Sequence, residues 1–215
     1  MTAARLERLR GLVQPATTVV LTMELQRGIV GDGVLLPALR DECVASGAIA
    51  RAAQVCAGAR RAGVRVVHCT FEPRADGAGF VINSKVAALA AKQRAADGHW
   101  ATEAGTPGAD LIPELAAEPG DLVMARLHGL SPFMSTSLDQ VLRNVGVTTV
   151  VAVGVSVNIG IFGLVVNAVD LGYQVVVVRD AVGGVPAEYA AAVVDNSLSM
   201  LATIVTAEEL GEVWT

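Results

Sequence analysis

The chain has 215 residues, of which 53% are apolar and 17% charged, with a formal net charge of −5. It is long enough for one domain with a full core spanning residues 1–215, and an acidic balance without a basic cluster argues against nucleic-acid or anionic-membrane partners. The high apolar share predicts that part of the surface is covered by another subunit, in a homodimer or higher homo-oligomer.

The first fourteen residues are charged and helical in character, and no apolar run reaches the roughly 18 residues of a membrane span, so the expected location is cytoplasmic. Apolar, β-branched runs at 17–23, 64–70, 122–125, 148–153 and 174–179 read as buried strands. Alanine-rich helical patterns separate them: 41–62 stops at Gly63, and 161–171 stops at Gly172. Strands alternating with helices predict a three-layer α/β/α domain around a doubly wound, mainly parallel sheet. Segment 74–119 interrupts this rhythm, and its Gly, Pro and polar content predicts a loop able to cover a pocket. Helices 45–62 and 187–202 are the expected subunit contacts. Cys43, Cys56 and Cys69 fit neither a disulfide framework nor a zinc-ligand spacing and read as reduced thiols. Gly160 falls where a strand turns into a helix, the place where open α/β sheets bind ligands, and glycine supplies no nucleophile.

Five ordered segments carry a resemblance. They are Leu21-Thr22-Met23-Glu24-Leu25-Gln26-Arg27-Gly28, residues 105–115, Leu130-Ser131-Pro132-Phe133-Met134-Ser135-Thr136-Ser137-Leu138, Gly154-Val155-Ser156, and Leu171-Gly172-Tyr173-Gln174-Val175 with Arg179-Asp180-Ala181. Over about residues 15 to 205 the chain resembles the isochorismatase-like, or cysteine hydrolase, family, which implies an isochorismatase-like fold and a small-molecule substrate. Amide-cleaving members carry an aspartate after strand one, a lysine before the Ser-x-Phe segment and a cysteine in the last turn. The matching positions here hold Glu24, Arg126 and Gly160. The isochorismatases proper are similar in having glycine at the third position, and they split a vinyl ether.

Amide hydrolysis of this kind needs a thiolate, and Gly160 removes that route. Vinyl ether hydrolysis needs only a proton donor and water, with Glu24 as the candidate acid/base. Arg126 is the candidate anion-binding group through a bidentate pair; its alternative is an inert ion pair with Glu24. His128 is placed to assist proton transfer or to be an ordinary loop histidine. Glu72 matches a substrate-facing glutamine of the isochorismatase branch, and Phe71, Phe133 and Phe162 are candidate pocket walls or core residues. The resemblance implies a cis peptide at Val155-Ser156, with Asn158 and the amides of 157–161 as a polar cradle. Metal-binding relatives carry Asp-x-His where this chain has Thr70-Phe71-Glu72-Pro73, so neither metal nor other cofactor is expected. Hydrolysis of a small polar or cyclic metabolite, at a vinyl ether or related bond and without a covalent cysteine intermediate, leads. A catalytically silent member that binds a ligand or acts as an assembly partner is the alternative, and a nucleophile moved to Cys69, or to water activated by Glu24 or His128, is a third.

Overall fold

The computed structural model describes residues 2–31, 34 and 36–214. The chain opens with α1 (Ala3–Leu12), whose first turn is capped by the Thr2 hydroxyl accepting the Arg5 N–H at 3.3 Å. Strand β1 (Thr18–Met23) is buried along its whole length. After the short α2 (Arg27–Val30), the helix expected over 41–62 is two helices, α3 (Pro37–Ala45) and α4 (Ala48–Arg61). Gly47 separates them at φ 74°, a left-handed conformation that glycine adopts without a Cβ penalty. Strand β2 (Arg65–Phe71) follows.

The segment expected to be a loop, 74–119, contains α5 (Lys85–Asp97), started by the Ser84 hydroxyl accepting the Ala87 N–H and stopped by Gly98 at φ 80°. Only Ala87 and Ala90 of this helix are buried, so its sequence carries little of the apolar stripe by which helices are recognised. The remaining elements are β3 (Leu122–Arg126), α6 (Leu138–Asn144), β4 (Thr149–Val155), α7 (Phe162–Asp170), β5 (Gln174–Gly183), α8 (Ala187–Asn196), β6 (Thr203–Val205) and α9 (Ala207–Val213). At three residues, β6 is too short to show a strand pattern in the sequence.

Among the described residues the strands form one all-parallel sheet in the order β3-β2-β1-β4-β5-β6. Alternation along β1 divides the core. Val20 lies with Val66, Val151 and Val176 beneath α4 and α9, while Val19, Leu21 and Met23 lie with Val67 and Val150 beneath α6, α7 and α8. On α4 the buried residues Ala48, Ala52, Val55, Cys56 and Ala59 form a single stripe at helical spacing. That stripe, and Ala190, Val193 and Val194 of α8, cover the chain's own sheet. In these buried faces each fully buried Val or Leu contributes about 1.5–3 kcal/mol, while Tyr189, Met200 and Leu201 of segment 187–202 stay exposed.

Candidate active site

The strand order reverses between β1 and β4, and their carboxyl ends border a cavity of about 350 Å³. Gly154 sits opposite Met23 at this crossing, at φ 111°; an added Cβ would come within 2.3 Å of the Met23 carbonyl oxygen. Glu24 is the first residue past β1 and takes φ 53°, which swings its carboxylate into the cavity while its N–H donates to the Cys69 carbonyl at 2.9 Å. Two residues on, fully buried Gln26 donates from Nε2 to the carbonyls of Phe71 (3.1 Å) and Ala109 (3.0 Å) and accepts the Phe71 N–H at 2.7 Å. One side chain thus ties the turn after β1 to the end of β2 and to segment 105–112.

Arg126 closes β3 and is only 2% exposed. Its Nε donates to the Gly129 carbonyl and one terminal nitrogen to the Thr70 carbonyl, both at 3.1 Å; the other terminal nitrogen pairs with Glu24 Oε1. The guanidinium carbon lies 5.5 Å from the Phe71 ring centroid. Burial pulls its pKa down to about 10, so it is still a cation at neutral pH. Each nitrogen of the fork already has a partner, and three of its five N–H groups are committed. Glu24 differs: its side chain is 20% exposed, and its second oxygen has no protein partner among the described residues.

Gly160 lies in a single π-helical turn, Val157–Ile161, after the cis peptide Val155-Ser156. An added Cβ would come to 2.9 Å from the Val155 carbonyl oxygen and 3.0 Å from Met23 Cε. The Ile159 and Ile161 amides, expected to face a substrate, donate to the Ser156 carbonyl at 3.2 and 3.0 Å.

Of the other residues singled out in the sequence, Phe71, Ser156 and His128 border the cavity. His128 accepts the Val81 N–H at 3.4 Å and meets the Phe80 ring edge-on at 5.6 Å. Glu72, Phe133, Val155 and Asn158 do not border it. Glu72 accepts the Thr70 hydroxyl at 2.6 Å, Phe133 packs in the core 5.8 Å from the Tyr173 ring, and Val155 is a buried strand residue. Asn158 faces Gly184, where its Oδ1 would sit 3.3 Å from an added Cβ. Phe162 packs against the core. Cys69 is buried in β2 with its thiol pushed up to about 12, and burial raises Cys43 to about 11 and Cys56 to about 12. These are inert thiols, and none borders the cavity. Among the described residues no group of three His, Cys, Asp or Glu is arranged to hold a metal.

The Isochorismatase domain model matches residues 18–209, the span that contains every strand of the sheet and both sides of the cavity. The chain belongs to the isochorismatase family.

Within this family it is 31% identical to ureidoacrylate amidohydrolase RutB of Methylobacterium radiotolerans, over 79% of this chain and 68% of that protein. RutB of Pseudomonas syringae is 29% identical over 87% and 78% of the two chains. The crystal structure of an isochorismatase family protein from Desulfovibrio vulgaris is 29% identical, covers 92% of this chain and 98% of its own, and superposes with a TM-score of 0.76. N-carbamoylsarcosine amidase from Thermoplasma acidophilum shares the fold, with 21% identity, coverage of 89% and 97%, and a TM-score of 0.66.

Against the family pattern, sequence reasoning missed the outer wall of the cavity. Phe80, Asn83, Ser84, Ala87 and Ala90 come from α5 and the turn before it. The signal was the Asn83-Ser84 pair ahead of an alanine-rich run, an N-terminal helix cap. It also missed Gln26, which sits in the first motif but earns its place only through contacts 45 and 83 residues away.

Proposed function

We propose that this isochorismatase-family chain hydrolyses a vinyl ether or related bond of a small metabolite without a covalent cysteine intermediate. Glu24 is the acid/base, water is the nucleophile, and Arg126 fixes the charge and orientation of Glu24. The carrying observation is the juxtaposition at the β1/β4 crossing of a carboxylate with one unpartnered oxygen and a glycine with no room for a side chain. Any thiol at position 160 would have to displace Met23, and the thiols present are buried. For a vinyl ether Glu24 must carry the proton that adds to the alkene carbon, after which water captures the oxocarbenium ion, returns a proton to Glu24 and the hemiketal collapses; for a related ester or amide bond the ion-paired carboxylate instead takes a proton from attacking water and passes it to the departing group. Such positioned proton transfer contributes about 10²–10⁴ in rate.

A specific observation also favours the silent reading: every nitrogen of Arg126 is engaged, as in an inert ion pair. The two part on turnover. Hydrolysis is measured across a panel running from isochorismate and ureidoacrylate to uncharged vinyl ethers, esters and amides, for the native protein beside Glu24→Gln and Arg126→Ala. Turnover that Glu24→Gln abolishes, with no covalent adduct by intact mass, supports the hydrolase. No turnover of any member leaves a ligand-binding protein.

A cytoplasmic setting, a single domain and self-association complete the proposal. Among the described residues no helix is long and apolar enough to cross a membrane. Exposed apolar side chains that could serve a subunit contact include Val81, Ile82, Met134, Tyr189 and Met200. Light scattering that finds only monomer at micromolar concentration removes this part.

A further inference from the structure

We infer that the substrate held in this cavity is uncharged and largely apolar, so that the pocket selects against carboxylates. The inference rests on the cavity being the substrate site. Of the side chains bordering it, only Glu24, Arg126 and His128 are titratable among the described residues. The guanidinium of Arg126 is 1% exposed and committed to Glu24, the Thr70 carbonyl and the Gly129 carbonyl. No lysine borders the cavity, and the five residues outside the described set, Met1, Asp32, Gly33, Leu35 and Thr215, carry no basic side chain. His128 is tied to the wall, its Nδ1 accepting the Val81 N–H at 3.4 Å and its Nε2 lying 3.5 Å from the Asn83 amide.

An entering carboxylate would therefore meet the unpartnered oxygen of Glu24 first, with the charge of Arg126 buried behind it and already paired. Like charges at close range in a partly dehydrated site repel, and desolvating the anion adds to the cost. An uncharged group meets no such penalty and can donate a hydrogen bond to Glu24. The rest of the wall suits an apolar body: Ile29, Leu36, Leu39, Phe71, Phe80 and Ala90 surround it. Phe80 is the specificity-determining residue in this wall. Its ring lies 4.6 Å from Trp100, 6.1 Å from Phe71 and 5.6 Å from His128, a cluster that fixes one aromatic face of the cavity.

The test uses two probes of nearly equal shape, benzamide and benzoate, titrated into the native protein at neutral pH and followed by two-dimensional NMR. Benzamide is expected to bind at least about tenfold more tightly than benzoate. Phe80→Ala should weaken benzamide severalfold, and Glu24→Gln, confirmed folded by circular dichroism, should raise benzoate affinity severalfold. Benzoate binding as tightly as benzamide in the native protein overturns the inference, as does failure of both probes to bind at a few millimolar. The native comparison decides even if a variant misfolds. Because binding is read apart from turnover, a protein that binds benzamide and hydrolyses nothing refutes the hydrolase and leaves this inference standing. One that hydrolyses only anionic substrates does the reverse.

Discussion

Two buried charge clusters use the same ingredients to different ends. In Arg60–Asp121–His68, the carboxylate accepts Arg60 Nε at 3.2 Å and its terminal nitrogen at 2.7 Å, His68 Nε2 at 3.2 Å and the Glu118 N–H at 2.9 Å. His68 completes the network by accepting, at Nδ1, the Thr22 hydroxyl at 2.8 Å. Burial pushes His68 below the usual histidine range despite Asp121, because Arg60 already answers that carboxylate; His68 is a neutral ring. Burial alone would raise Asp121, but the bonds from Arg60, Glu118 and His68 outweigh it and hold the carboxyl below its ordinary value. Arg60 and Asp121 border a cavity of their own, of about 400 Å³, but both carboxylate oxygens are already engaged. Glu24, by contrast, has one partner and one free oxygen at a cavity wall. A saturated carboxylate locks elements together, while an undersaturated one beside a cavity is available to chemistry.

The comparison breaks most sharply at the two carboxylates. Glu24→Gln should lower kcat/KM by about 10²–10⁴ on whichever substrate the panel identifies, with a small change in thermal midpoint. If it instead destabilises the fold as much as a core substitution does and leaves turnover intact, Glu24 is a structural partner like Asp121. Asp121→Ala should do the opposite. It strands Arg60 and His68 and should cost about 3 kcal/mol in urea unfolding, with benzamide affinity unchanged.

Gly160→Ala comes next, at about 1–3 kcal/mol, because its Cβ meets Val155 O and Met23 Cε. The double variant with Met23→Ala should lose less stability than the sum of the two single losses, because truncating Met23 makes room for the added Cβ. Acid sharpens the contrast more gently. Folded His68 has a lowered pKa, so the unfolded chain binds its proton first; that stability is complete above the ordinary histidine value of about 6.5 and falls as pH drops through it. Asp121, also lowered, contributes above the ordinary aspartate value of about 3.9 and loses that contribution as pH falls further. Urea midpoints should therefore decline in two stages below neutral pH. His68→Gln should remove the upper stage; an unchanged profile would mean that folding leaves the His68 pKa where it is in the unfolded chain.

Much of the fold was legible in the residues. The β-branched runs of β1, β2 and β4 are buried on both faces, so a continuous apolar string marks them without reference to the rest of the chain. Helix α5 was illegible because it buries only two alanines. The family motifs put Glu24, Arg126 and Gly160 together, and the structure brings these three to one cavity. The same motifs did not separate Phe71 and Ser156, which border the cavity, from Glu72 and Phe133, which do not. Neighbours in sequence point to opposite faces of a strand or turn, and a shift of one position decides whether a side chain sees solvent or core.

The sequence by itself determined five strands of the sheet, most of its helical layers and a glycine at position 160 that supplies no nucleophile, because these depend on local pattern and residue identity. Only the tertiary structure decided that Arg126 is occupied by Glu24 and by the carbonyls of Thr70 and Gly129, and that Gln26 clamps segments 45 and 83 residues away. It alone brought α5 across the cavity mouth. Such contacts join residues far apart in the chain, and whether a charged group is free or engaged depends on where its partners' backbones pass, which no short stretch of sequence encodes.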